Sequence, residues 1–239
     1  MIYPKIIAHR CGGALTPENT LAGLRLAARL GCRGVEFDAM LAADGVPVLI
    51  HDETLDRTTS GRGRVADMDS ASLAGVDAGG RHHPAFAVEP LPTLDGALHL
   101  CAELGLWANV EIKPSAGQEV ETGRIVARHV AAASGAWLLS SFSMSALSAA
   151  AEEAQQLPRA LLVGAIPEDW RQQMAETGAF ALHSSARALT AEALRAVRDA
   201  GVPLACYTVN RRSDGERLLA EGVRAIFTDR PDLWLPGEM

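Results

Sequence analysis

Three short stretches of the 239-residue chain gather side chains that could hydrolyse a phosphodiester on a metal ion. They are His9-Arg10, then Glu36-Phe37-Asp38 running on to His51-Asp52, and Glu111-Ile112-Lys113. Two of them set ionisable residues two apart. In a β-strand, residues i and i+2 share a face, roughly 6–7 Å apart, so each pair projects together. Glu36, Asp38 and Glu111 form a hard oxygen donor set that suits Mg²⁺ or Ca²⁺. Packed together without a cation, at least one of these carboxylates would be driven to bind a proton. With Arg10 and Lys113 beside them the cluster keeps one net negative charge. A divalent ion and a singly charged diester bring that sum to neutrality. His9 and His51, each with an ordinary pKa of about 6.5, could divide proton transfer between the attacking hydroxyl and the leaving alkoxide.

Each of these residues also has a plainer reading. A lone His at a strand end is more often structural, Glu36-x-Asp38 could be a salt-bridged edge pair, and Glu111-x-Lys113 could be a structural ion pair. Only their coincidence points to a site. Tyr207 reads either as core or as a pocket wall. Cys11, beside Arg10, reads as a pocket-lining residue and not as a nucleophile. His82-His83 reads as a solvated loop pair, and Trp107, Trp137, Trp170 and Trp234 read as packing.

Such a cluster needs elements that bring distant residues to one place. Apolar, strand-like runs recur near 5–9, 34–40, 107–113, 136–142, 159–163, 180–184, 203–209 and 225–228. Ala- and Leu-rich segments of helical spacing lie between most of them. Gly31, Gly105, Gly178, Gly201 and Gly222 each fall just before a strand, where glycine ends a helix in the left-handed conformation. Helix starts are expected at Thr16-Pro17, Thr93, Ser143, Thr190 and a capping box Ser213-x-x-Glu216. Eight alternating units predict a parallel sheet closed into a TIM-type (β/α)₈ barrel, whose active site lies at the C-terminal strand ends. No GxGxxG or GxxxxGK[ST] loop argues for an open nucleotide-binding sheet. Ala43-Asp44-Gly45 reads as a hairpin turn leading to His51. The Gly/Asp/Ser/Thr-rich stretch from 52 to about 92 then reads as a small insertion over the mouth. One domain spanning 1–239 accounts for the whole chain.

Composition narrows the class. The net charge of −7, with scattered basic residues, argues against nucleic acid as a partner. No apolar run reaches membrane-spanning length, and the start of the chain carries no secretory pattern. The four cysteines, widely spaced, read as reduced thiols. A cytoplasmic protein without stable membrane anchoring is expected.

The motifs extend beyond the chemical residues. His9-Arg10-Cys11-Gly12-Gly13 runs through Pro17-Glu18-Asn19-Thr20. A second motif runs from Glu36-x-Asp38 through Asp44-Gly45-x-Pro47, His51-Asp52, Leu55 and Arg57-Thr58-Thr59 to Gly61-x-Gly63. Shorter ones are Leu91-Pro92-Thr93-Leu94, Glu111-Ile112-Lys113, Ser141-Phe142, Tyr207-Thr208-Val209-Asn210 and Thr228-Asp229-Arg230-Pro231. Together they resemble the glycerophosphodiester phosphodiesterase family across almost the whole chain. That resemblance implies a TIM-type barrel with a cap-like insertion, one divalent ion, and hydrolysis of glycerophosphodiesters to sn-glycerol 3-phosphate and an alcohol. It implies His9 and His51 as acid and base, Glu36, Asp38 and Glu111 as metal ligands, and Arg10 and Lys113 as phosphate holders; Tyr207, read as a pocket wall, is a candidate substrate-binding residue beside them. Cys11 stands where the family usually has glycine. Positive φ there would cost cysteine roughly 1 kcal/mol or more; otherwise the thiol narrows the pocket. Arg81-His82-His83 departs from the aromatic residues common in such insertions. Competing readings are a barrel phospholipase acting on lysolipid, a non-catalytic phosphodiester-binding barrel and, more weakly, a metal-dependent aldolase.

Overall fold

The computed structural model describes residues 3–234; Met1, Ile2 and 235–239 of the expected domain lie outside that range. In chain order the elements are β1 (Ile6–Ala8), α1 (Leu21–Leu30), β2 (Gly34–Leu41), β3 (Pro47–Leu49), α2 (Ser70–Ala74), α3 (Leu94–Leu104), β4 (Trp107–Ile112), α4 (Glu119–Ala132), β5 (Ala136–Ser141), α5 (Met144–Glu153), β6 (Arg159–Val163), α6 (Trp170–Thr177), β7 (Ala181–Ser185), α7 (Ala191–Asp199), β8 (Leu204–Tyr207), α8 (Arg212–Ala220) and β9 (Ala225–Thr228). Every strand except β3 lies parallel to its neighbours. β1 pairs with both β2 and β9, so the sheet closes on itself as a (β/α)₈ barrel.

The sequence-predicted strands match the barrel strands closely, for a physical reason. Gly31, Gly105 and Gly178 each take the left-handed conformation that ends α1, α3 and α6, and the strand starts soon after. Thr93, Ser143 and Thr190 each accept a hydrogen bond from a first-turn backbone N–H, as expected of N-caps. Two helix starts are corrected. α1 begins at Leu21 under a Thr20 cap, not at Thr16-Pro17, because Thr20 Oγ1 accepts from the Gly23 N–H. α8 begins after Arg211, which makes no side-chain cap. Ser213 therefore lies inside α8, and Glu216 pairs with Arg212 one turn earlier, at 2.8 Å.

β2 and β4 carry the alternation that builds the site. Val35, Phe37 and Ala39 of β2, with Ala108, Val110 and Ile112 of β4, pack outward in the core under the helices. The intervening Glu36, Asp38, Asn109 and Glu111 point to the barrel interior, and the register sets Asp38 opposite Glu111 and Glu36 opposite Asn109. Below them the interior is closed by Tyr3, Ile7, Trp107 and Phe227 against small alanines of β6 to β9. All four tryptophans are buried.

β1 ends early, and the upper edge of β2 that it leaves open is taken by antiparallel β3, with Ala39 opposite Leu49 and Leu41 opposite Pro47. This hairpin carries the chain back to His51. Residues 52–92 hold 3-10 turns at Val65–Asp67 and Pro84–Phe86 besides the short α2. They bury a small core of their own, in which Leu55, Val65 and Leu73 pack against Met40 and Val48 of the hairpin. His82 and His83 are exposed; His83 Nδ1 accepts from the Ala85 N–H and caps a turn.

Candidate active site

The strand ends converge on a cavity of about 260 Å³ at the C-terminal mouth of the barrel. His9, Arg10, Glu36, His51, Glu111 and Lys113 line it, and so does Tyr207. Asp38 is outside the lining, with one oxygen 3.5 Å from Lys113 Nζ. The three stretches picked out from sequence, together with the end of β8, therefore meet in one place.

One carboxylate oxygen from each of Glu36, Asp38 and Glu111 falls within 4.8 Å of the others, and all three residues are buried. Glu36 Oε2 accepts the Arg10 N–H at 2.8 Å, while Glu36 Oε1 has no hydrogen-bond partner among the described residues. A buried carboxylate oxygen without a donor is costly unless something positive meets it. Burial, and then the charge of Asp38, pushes the Glu36 carboxyl up to about 8. The same two causes push Glu111 up to about 7. Asp38 goes the other way: burial opposes its charge, but Lys113, His51 and Arg10, with the Asn19 amide, outweigh it. Asn19 grips Asp38 twice, by Nδ2 to Oδ2 at 2.9 Å and by accepting the Asp38 N–H at 3.0 Å. Lys113 Nζ sits 3.0 Å from Glu111 and 3.5 Å from Asp38. Burial works against its charge, yet these carboxylates hold it protonated.

The two histidines share one arrangement. His9 Nδ1 lies 2.7 Å from Asp229 Oδ1, and His51 Nδ1 lies 2.7 Å from Asp52 Oδ1. Each aspartate fixes its ring and leaves Nε2 free; that of His9 points toward Glu36 at 3.9 Å. Burial lowers His9, but the Asp229 hydrogen bond and the Glu36 charge outweigh it, so its pKa is raised. For His51 burial wins over Asp38 and Asp52, and the pKa is lowered. Asp229 is itself held by Asn210, whose Nδ2 donates at 2.7 Å and whose Oδ1 accepts the Asp229 N–H. Gly13 makes the approach possible. It sits at φ 61°, and a Cβ there would come 2.4 Å from the Asp229 backbone.

Arg57, from the insertion, bridges the two sides. It donates to both oxygens of Asp52 and to both oxygens of Glu18, and Glu18 in turn accepts from Arg10 at 3.0 Å. The cavity lining itself takes no residue from 52–92.

Sequence reasoning missed the lower wall. Asn109 and His183 line the cavity beneath the carboxylates. Burial pushes His183 down to about 3, so it is neutral, and it shares a 2.9 Å hydrogen bond with Tyr3. Asp229 and Asn19 stood inside quoted motifs, but nothing local gave them partners. Tyr207 donates its hydroxyl to the Val163 carbonyl at 2.7 Å and meets Phe142 edge-on, so it presents ring and not hydroxyl to the cavity. Cys11 is corrected. Its backbone takes φ 75°, and its thiol is buried in the helix-side core against Gly23, away from the cavity.

The comparisons with known proteins agree with this geometry. The model of the glycerophosphoryl diester phosphodiesterase family matches residues 9–233. The chain is 34% identical over 230 residues to a glycerophosphodiester phosphodiesterase of Caldanaerobacter subterraneus subsp. tengcongensis, across 95% of this chain and 94% of that one. Among solved structures, a phosphodiesterase of Oleispira antarctica in complex with the product sn-glycerol-3-phosphate aligns with a TM-score of 0.93 at 33% identity, covering 96% of this chain and 94% of that one. A glycerophosphodiester phosphodiesterase of Agrobacterium tumefaciens aligns with a TM-score of 0.78 at 28% identity, covering 97% of this chain and 98% of that one. With its barrel closed and its motifs gathered at one mouth, the chain belongs to the glycerophosphoryl diester phosphodiesterase family.

Proposed function

We propose that this enzyme hydrolyses glycerophosphodiesters to sn-glycerol 3-phosphate and an alcohol, using His9 and His51 for proton transfer beside a divalent ion held by Glu36, Asp38 and Glu111. One observation carries the reading: three buried carboxylate oxygens within 4.8 Å of one another share a cavity with two aspartate-backed histidines. The partnerless Glu36 Oε1 and the raised carboxyls of Glu36 and Glu111 fit a hard cation, either Mg²⁺ or Ca²⁺. When bound, such an ion supplies charge stabilisation to the non-bridging phosphate oxygens.

The remaining work falls to the side chains. Lys113 and Arg10 hold the phosphate from the cavity wall, and their positive charge offsets what develops on phosphorus oxygens in the transition state. His51, with its lowered pKa, stands neutral near pH 7 and accepts the proton of the attacking hydroxyl. His9, with its raised pKa, carries the proton that the leaving alkoxide needs. The bond to Asp229 is made from Nδ1, on the ring edge opposite the carboxylate cluster, so a cation there leaves it in place. Two titratable groups pushed in opposite directions give the acid and the base their separate tasks. Tyr207 and Phe142 wall the substrate with their rings.

Assays on glycerophosphocholine and glycerophosphoethanolamine test this directly. Product should form, with His9→Ala and His51→Ala each slowing turnover by roughly 10²–10⁴-fold. Near-wild-type turnover in either variant contradicts the proton-transfer roles.

A further inference from the structure

The alcohol half of the diester must leave the cavity somewhere, and the loops after β7 and β8 leave an opening. Between them runs a groove of about 490 Å³. Thr208 lines both the groove and the catalytic cavity, so the two are neighbours. Asn210, which holds Asp229 behind His9, lies on the groove wall.

The groove is cationic, on a chain whose net charge is −7. Arg187, Arg211 and Arg217 line it against a single carboxylate, Asp214. Arg211 is committed to Asp214 at 2.8 Å, and Arg217 to Glu221 at 3.0 Å. Arg187, in the loop after β7, is exposed and makes no hydrogen bond or ion pair among the described residues. A second groove of about 350 Å³ continues between α7 and α8, shares Arg217, and adds Arg195 and Arg198. Glu221 also lines this second groove and Arg198 pairs with Asp199 at 3.2 Å, which leaves Arg187 as the cation of the first groove without a carboxylate partner among the described residues. A guanidinium with all its donors unused suits a phosphate oxygen pair.

We propose that this groove binds a second anionic group carried by the alcohol, making glycerophosphodiesters with a phosphorylated alcohol the favoured substrate class. The inference rests on the phosphodiesterase reading and refines it. The bond chemistry is unchanged. The oxygen of one water forms a new bond to phosphorus and its proton passes to His51, the P–O bond to the alcohol breaks, the alkoxide takes up the proton of His9, and the second phosphate stays intact while Arg187 holds it.

Bis(glycerophospho)glycerol and glycerophosphoglycerol make the test. The first presents an alcohol bearing a second phosphodiester; the second presents uncharged glycerol. Initial rates are read by phosphorus NMR for the wild type, Arg187→Gln and Arg187→Gln/Arg211→Gln. The wild type should favour the doubly charged substrate. Arg187→Gln should lower kcat/KM on it by roughly fivefold or more, and change that for glycerophosphoglycerol less than about twofold. Raising salt from about 0.02 M to about 0.5 M should erase the preference, because the groove is open to solvent. The double variant should show no preference at any salt. Equal kcat/KM for both substrates in the wild type, or equal losses in Arg187→Gln, overturns the proposal. So does Arg187-dependent binding to phosphatidylglycerol vesicles without substrate preference, which reassigns the groove to an anionic membrane surface. Absence of product from either substrate counts against the phosphodiesterase reading itself, and the inference falls with it.

Discussion

His9 and His51 each lean on an aspartate through Nδ1, and this determines how the pH profile should respond to change. In the proposed mechanism His9, as the acid, must be protonated and would set the alkaline limb of kcat/KM, while His51, as the base, would set the acid limb. Asp229→Asn removes an interaction that raises His9, so the alkaline limb should move to lower pH. Asp52→Asn removes one that raises His51, so the acid limb should also move to lower pH. Limbs that stay fixed in both variants would contradict the assignments. The carboxylates make a second prediction. Glu36 and Glu111 are raised in the fold, to about 8 and about 7, above their unfolded values. Without a cation, stability should be greatest below the unfolded carboxyl pKa and fall as pH rises through the folded values. Chelated protein should therefore melt at lower temperature at pH ~8 than at pH ~5, and Mg²⁺ or Ca²⁺ should restore more at the higher pH. Melting unaffected by either ion at pH ~8 would contradict metal binding there. Cys11 makes a third. Its thiol is buried and pushed well up by burial, so thiol alkylation should leave native activity intact.

At the scale of elements, the loops around the mouth are tied by single residues. Arg57 joins the insertion to the loop carrying Glu18, and through these holds Asp52 behind His51 and Glu18 beside Arg10. Arg57→Gln should lower kcat/KM about tenfold, given the loss of several charge-assisted bonds, while global melting shifts little. A large loss of melting temperature with unchanged kinetics would make Arg57 merely structural. Gly23→Ala should destabilise by about 1–3 kcal/mol, because its new Cβ would meet Cys11 Cβ at 2.8 Å; urea unfolding measures it. Much of the barrel could be read from the chain. Strands bounded by Gly31, Gly105 and Gly178 follow from local turn chemistry, and Glu36-x-Asp38 and Glu111-x-Lys113 follow from the two-residue strand period. What was missed depends on distance. Asp229 reaches His9 from 220 residues away, and Asn19 meets Asp38 only because the first loop folds back over β2. The Ser213 box failed because α8 starts at Arg212, which places Ser213 inside the helix. The small core of 52–92 is built from scattered residues such as Leu55 and Leu73, with no periodicity to announce it.

The whole molecule divides its charge. A buried carboxylate cluster and two histidines occupy the barrel mouth, and arginines line a neighbouring groove, on a chain of net charge −7. Among the described residues no helix is long and apolar enough to cross a membrane. The closed sheet explains how residues spread from 9 to 229 act as one unit, since each strand delivers its last residues to the same rim. The proposed mechanism needs a cation held by Glu36, Asp38 and Glu111 and proton transfer by His9 and His51. The most direct measurement is phosphorus NMR of glycerophosphocholine hydrolysis by chelator-stripped protein, before and after adding Mg²⁺ or Ca²⁺, with Glu36→Gln alongside. This mechanism predicts sn-glycerol 3-phosphate only after the ion is added, and little product from Glu36→Gln at the same ion concentration. Equal product from stripped protein, or undiminished product from Glu36→Gln, would contradict it.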